Sequence, residues 1–106
     1  MRIKVRPALP TDYPFIFATY IRNRWFSKDN KTTLKRSTWS AMQHRRLEAI
    51  FEAKQPVYVA CLDEDDDTIL GYSLKDGKGV FVYVKLAFRA PGFQLADRLL
   101  KELSNK

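Results

Sequence analysis

One cysteine, Cys61, in a chain of 106 residues excludes an internal disulfide framework and a cysteine-based zinc site. No apolar run approaches the roughly 20 residues that a membrane-spanning helix needs. The N-terminus, MRIKVRPALP, carries charges where a signal peptide has an apolar stretch. A soluble, cytoplasmic protein is therefore expected. Internal repeats and linker-like segments are also missing, so residues 1–106 are expected to form one domain. What the chain does have is apolar substance: hydrophobic residues make up 45% and aromatics 13%, a composition that folds into a packed core.

Acids are scarce relative to bases, 12 Asp+Glu against 19 Lys+Arg, and the net charge is +7. Such a surplus attracts nucleic acid, an acidic protein surface or an anionic cofactor. The bases concentrate in Arg22, Arg24, Lys28, Lys31, Lys35, Arg36, Arg45 and Arg46, and the acids bunch in DEDDD at residues 63–67. That acidic run lacks the alternating acids, glycine and distal glutamate of an EF-hand loop. It reads as a solvated turn, and no metal site is expected. Trp25 and Trp39 flank the basic stretch, an arrangement seen in single-strand binders, but both fit apolar helix stripes and read as core. Nucleic-acid binding is accordingly not expected.

RIKVR alternates and stops at Pro7, which predicts a strand over residues 2–6. Thr11 or Asp12 is placed to cap a first helix with Pro14 in its first turn and Phe15, Ala18, Ile21 and Trp25 on its apolar face. A polar loop follows. Ser37 or Thr38 is then placed to cap a second helix, with Trp39, Met42, Leu47, Ile50 and Phe51 as its stripe and Pro56 forbidding its continuation. VYVACLD predicts a strand over 57–63, the acidic run a hairpin turn, TILGYSLKD a strand, GKG a tight turn, and VFVYVKL a strand over 80–86. A last helix is expected over 92–103, with Phe93, Ala96, Leu100 and Leu103 on one face. The order β-α-α-β-β-β-α, with an antiparallel meander, predicts an α+β (mixed α/β) domain with helices packed on a mostly antiparallel sheet.

This order, with VRPALPTDYPFI at its start, VYVACLDEDDDTILGYSL in its middle and VYVKLAFRAPGFQLADRLLKEL at its end, resembles the GCN5-related N-acetyltransferase (GNAT) superfamily. VYVK followed by FR and a glycine is similar to short acetyltransferase-like proteins encoded by bacteriophages. The family's cofactor motif runs Arg or Gln, two residues, Gly, one residue, then Gly or Ala. Arg89 and Gly92 stand at that spacing, whereas Gln94 occupies the last small position and Pro91 removes one backbone N–H. The resemblance implies a GNAT-like fold, C-terminally shortened. It also implies acetyl-CoA as cofactor, bound through Val84, Leu86, Arg89, Gly92, Phe93 and Gln94, with the diphosphate at a helix N-terminus. Direct attack by an amine is implied, with a backbone N–H near Leu86 stabilising the oxyanion.

Candidate catalytic residues are His44, as a general base, and Tyr83, on the cofactor strand, as an acid or an orienting group. Each also suits a structural role, since a lone helical histidine is commonly solvated and strand tyrosines commonly pack. Two functions are therefore expected as alternatives. One is a small N-acetyltransferase acting on an amine. The other is a catalytically inactive GNAT-fold phage accessory or host-modulating protein, working in the host cytoplasm through a host or viral protein partner, or as a homodimer through an open sheet edge.

Overall fold

The computed structural model describes residues 2–27, 30–76, 79–90 and 94–104. Among the described residues the elements are β1 (Ile3–Pro7), α1 (Tyr13–Trp25), α2 (Arg36–Glu52), β2 (Val57–Leu62), β3 (Asp65–Asp76), β4 (Gly79–Val84) and α3 (Leu95–Ser104), with 3-10 turns at Pro10–Asp12 and Leu86–Phe88. The order matches the expected one. The four strands form one antiparallel sheet in the order β1-β2-β3-β4.

Helices cover both faces. β2 sends Val57, Val59 and Cys61 into a core with Ile16 and Tyr20 of α1 and Leu47 and Ile50 of α2. It sends Tyr58 and Ala60 the other way, against Leu95, Leu99 and Leu103 of α3. A strand buried on both faces carries no polar alternation, which is why VYVACL reads as a continuous apolar run. Two buried hydroxyls fasten the layers: Thr19 Oγ1 and Tyr72 Oη lie 2.7 Å apart, and Ser73 Oγ donates to the Leu99 carbonyl at 3.1 Å.

The faces of α1 and α3 differ from the expected ones by about one position, Leu103 excepted, whereas the α2 stripe is largely as expected. α1 buries Ile16, Thr19 and Tyr20, and α3 buries Leu95, Leu99 and Leu103. α2 buries Trp39, Leu47 and Ile50 but leaves Met42 half exposed. The cause in α1 is that aromatic and aliphatic side chains cover most of its circumference, so periodicity alone does not choose a side. Ser37 and Thr38 lie inside α2, whose first helical position is Arg36 after Lys35, and no side chain caps it. The acidic run turns at residues 63–64 only. Its last three aspartates belong to β3, where the Asp65 carboxylate accepts from the Asp67 N–H at 3.0 Å and the Thr68 hydroxyl at 2.6 Å.

β3 contains a bulge. Ala60 faces Gly71 and Cys61 faces Ile69, so Leu70 is the extra residue. Gly71 is also a place where β4 lies close against β3: a Cβ added there would sit 2.5 Å from the Tyr83 carbonyl oxygen and 3.2 Å from the Val84 Cα. Gly71→Ala therefore forces the two backbones apart. Chemical denaturation should show a loss of about 1–3 kcal/mol; an unchanged midpoint would mean that the strands part without cost.

At the opposite edge, Arg6 grips Asp12 with two hydrogen bonds, Nη1 to Oδ2 at 2.7 Å and Nη2 to Oδ1 at 3.0 Å. Asp12 Oδ2 also accepts the Leu9 N–H at 2.7 Å, and Arg6 reaches the Asp66 carbonyl at 2.9 Å. One buried ion pair thus joins β1, the entry to α1 and the β2–β3 hairpin. Burial pushes the Asp12 carboxyl up, but the Arg6 hydrogen bonds, the Leu9 N–H and the Arg6 charge outweigh it, and the group titrates below its ordinary 3.8. A depressed carboxyl stabilises the fold above its unfolded pKa and loses that contribution as pH falls through the folded value. Asp12→Asn should cost about 3 kcal/mol at neutral pH. The variant should also show a shallower loss of stability below pH 3.8 than the parent in acid titrations followed by circular dichroism.

Candidate functional site

β4 is the outer strand of the sheet, and no described strand pairs with its free side. Its register against β3 runs without a break from Asp76 opposite Gly79 to Gly71 opposite Val84, and the Lys85 N–H donates to the Leu70 carbonyl at 2.8 Å. In an antiparallel pair, residues that bond to the neighbour alternate with residues whose backbone groups point away. The Lys85–Leu70 bond sets that alternation. Phe81 and Tyr83 bond inward, and the N–H and C=O groups of Val80, Val82 and Val84 face the open side.

A cleft of about 610 Å³ runs along this edge. Residues 81–84 form its floor, Asn23 of α1 one wall, and residues 88–90 with residues 94–97 at the start of α3 the other. The volume is within the usual range for small-molecule sites. Arg89 donates from Nε to the Val84 carbonyl at 2.6 Å, so its guanidinium is pinned against the strand edge. Among the described residues the Val84 N–H and both backbone groups of Val82 have no partner and remain for a ligand. At the far end, the Arg98 N–H at the start of α3 donates to the Gln94 carbonyl at 3.1 Å. The N–H groups of Leu95, Ala96 and Asp97 precede it and give that end of the cleft a positive dipole.

Of the candidate cofactor residues, the structure brings Val84, Arg89 and Gln94 together in this cleft. Gly92 and Phe93 lie outside the described residues. Leu86 is not in the wall: β4 ends at Val84 rather than at residue 86, and Leu86 starts the 3-10 turn with its side chain 78% exposed. The backbone N–H groups that face the cleft are accordingly those of Val82 and Val84. Tyr83 contributes to the floor, its ring stacked on Tyr72 at 5.4 Å and edge-on to Phe15 at 6.1 Å. Its hydroxyl makes no hydrogen bond among the described residues. His44 stands elsewhere, on the outer α1–α2 face, stacked on Phe17 at 4.2 Å with Nδ1 2.8 Å from the Glu48 carboxylate.

Asn23, Phe88 and Asp97 line the cleft without having been candidates. Asp97 was legible as an acid in the first turn of a helix, where it complements the dipole; Asn23 comes from a distant helix and left no local signal. Trp39 is buried, and the half-buried Trp25 packs against it at 5.2 Å. Among the described residues no cluster of His, Cys, Asp or Glu is placed to hold a metal ion, and no helix is long and apolar enough to cross a membrane.

No protein-family model matches the sequence, and no curated protein matches it. Solved structures do. A putative acetyltransferase from Salmonella typhimurium, determined with its cofactor acetyl-CoA, superposes with a TM-score of 0.64 at 21% identity, covering 99% of this chain and 62% of the other. A GNAT-superfamily phosphinothricin acetyltransferase from Sinorhizobium meliloti, in complex with acetyl-CoA, gives 0.66 at 19% identity, with 99% and 59% covered. A ribosomal-protein-alanine N-acetyltransferase from Brucella melitensis gives 0.59 at 24% identity, with 96% and 65% covered. The fold is therefore that of the GNAT superfamily, and the chain spans about three fifths of the length of these structures.

Gln94 has φ of +51°, one of two non-glycine residues with positive φ among those described, the other being Lys54. The left-handed region costs a side-chain-bearing residue about 1 kcal/mol, and glycine nothing. Of the two residues in the motif at this position, glycine would remove that cost and alanine would not. Gln94→Gly should raise the unfolding free energy by about 1 kcal/mol, read from denaturant midpoints at constant slope. A loss of stability would show that the Gln94 side chain holds the α3 start in place.

Proposed function

We propose that this GNAT-fold chain binds acetyl-CoA along the open edge of β4 and transfers the acetyl group to a primary amine. The observation that carries the reading is the cleft itself. An unpaired strand edge, with Val82 and Val84 offering backbone hydrogen bonds, leads directly to the N-terminus of α3. The edge suits the two amides of an extended pantetheine arm. The α3 N–H groups and the Arg89 Nη groups suit a diphosphate. Asp97 opposes an anion at that end, and Gln94 narrows the approach to it, so the strand edge carries more of the fit than the helix does.

Acetyl-CoA supplies an acetyl thioester; when an amine displaces the thiol, the C–N bond forms as C–S breaks, the amine loses a proton and the thiol gains one. The chain's own part in this is positional and electrostatic. Val84 N–H, fixed by the strand register and by the Arg89 bond to the same residue's carbonyl, would be the donor to the reacting carbonyl oxygen. Tyr83, whose hydroxyl is uncommitted among the described residues, is the proton donor for the departing thiol. No covalent intermediate with the protein is required.

Calorimetric titration with acetyl-CoA tests the reading. The control variant is Ala96→Glu, which puts a carboxylate into the cleft at an exposed position of the first α3 turn, where an acid favours the helix. Saturable binding that weakens by about tenfold or more in Ala96→Glu is the expected result. An absence of binding to the parent protein would favour the second reading, in which the exposed β4 edge pairs with a strand of another chain.

A further inference from the structure

The chain has a net charge of +7, yet the β4 cleft is close to neutral. Among the described residues that line it, Arg89 is the cation and Asp97 the anion. Arg89 is already partly committed, since its Nε donates to the Val84 carbonyl at 2.6 Å. Asp97 stands in the first turn of α3, at the end where phosphates would meet the helix N–H groups, so the carboxylate and the dipole act there with opposite sign. Between Ala90 and Gln94 the sequence is Pro-Gly-Phe, which adds no charge to that corner. The strand edge is different in kind. Val82 N–H and C=O and Val84 N–H have no partner among the described residues, and they are neutral groups at the spacing of an extended chain. Phe81, Tyr83 and Phe88, all half-buried, give this part of the cleft apolar surface.

We infer that the cleft reads the arm of its donor and not the nucleotide, so that its donor class is the acyl thioester of 4′-phosphopantetheine, whether that arm belongs to coenzyme A or is carried through its phosphate on another molecule. This rests on the acetyl-transfer reading of the cleft. The physical argument concerns where affinity can arise. A pantetheine arm is uncharged, with two amides and apolar links between them, and it meets unpaired backbone groups and apolar walls. The 3′-phosphoadenosine diphosphate of coenzyme A is strongly anionic, and it meets one partly committed cation and one carboxylate, both exposed. Exposed charges contribute little in either direction. Nothing in the transfer needs the nucleotide: the C–N bond forms as C–S breaks, the amine gives up a proton, and the thiol that leaves and gains one is the end of the arm in either molecule.

Calorimetric titration of the full chain with acetyl-CoA, acetyl-4′-phosphopantetheine, acetylpantetheine and 3′,5′-ADP tests the inference. The dissociation constant for acetyl-4′-phosphopantetheine should lie within about fivefold of that for acetyl-CoA, the most that screened, exposed charges contribute. At concentrations where the thioesters saturate, 3′,5′-ADP should not bind. Asp97→Asn should tighten acetyl-CoA by about threefold and leave acetylpantetheine, which has no phosphate, unchanged. An acyl carrier protein loaded with acetate separates the two sources of the arm: comparable binding assigns it to a carrier, and binding of the small thioesters alone assigns it to coenzyme A, each as the inference requires. A larger loss on removing the nucleotide overturns the inference, as does saturable binding of 3′,5′-ADP or an acetyl-CoA affinity that Asp97→Asn leaves unchanged; these results keep the cofactor reading standing. If none of the thioesters binds, both fall together.

Discussion

Everything that qualifies this chain as a candidate transferase depends on how β4 is held against β3. The bulge at Leu70 and the bare backbone of Gly71 let the strands approach until the Gly71 position nearly touches the Tyr83 carbonyl. With the register continuous to Val84 and closed by the Lys85–Leu70 bond, alternate residues of β4 have no choice but to present their backbone groups outward. A slip of one residue would turn those groups inward and exchange Tyr83 for a valine on the α1 face. The cleft is therefore a consequence of strand pairing before it is a property of any side chain.

The two helical layers then give the edge its chemistry. α3, fastened by Leu95, Leu99 and Leu103 and by the Ser73–Leu99 hydrogen bond, aims its N-terminus along the cleft. α1, fastened by Ile16, Tyr20 and the Thr19–Tyr72 pair, supplies Asn23. Arg89 links the two systems, since it leaves the loop toward α3 and bonds back to the last residue of the strand. The Arg6–Asp12 pair does similar work at the opposite edge, where it locks the entry of α1 to β1 and so fixes the helix that carries Asn23.

The motif residues behave less uniformly than their spacing suggests. Arg89 is committed to the strand edge through Nε, and Gln94 occupies a backbone conformation better suited to glycine. Asp97, three residues on, brings an acid into the end of the cleft where a cofactor's phosphates would come. The strand edge is the more permissive half of the site and the helix end the more restrictive.

Element order, the three-strand meander and the apolar character of β2 were all legible in the sequence, because turn residues and long apolar runs act locally. So were the presence of Val84, Arg89 and Gln94 near one corner. The α2 stripe was legible too, but the α1 face was not, because α1 carries apolar groups around most of its surface and only the sheet decides which of them are buried; Ile16 and Tyr20 won over Phe15 and Ile21 through contact with β2 and β3. His44 and Leu86 show the same limit from the other side. Their chemistry is fixed by type, but the turn at Leu86–Phe88 carries one out to solvent, and the packing of α2 places the other against Phe17 and Glu48. Residue type and spacing determine which groups exist and which lie next to one another along the chain. Long-range strand pairing and helix packing alone decide which of them share a cleft, because those contacts join residues that are far apart in sequence.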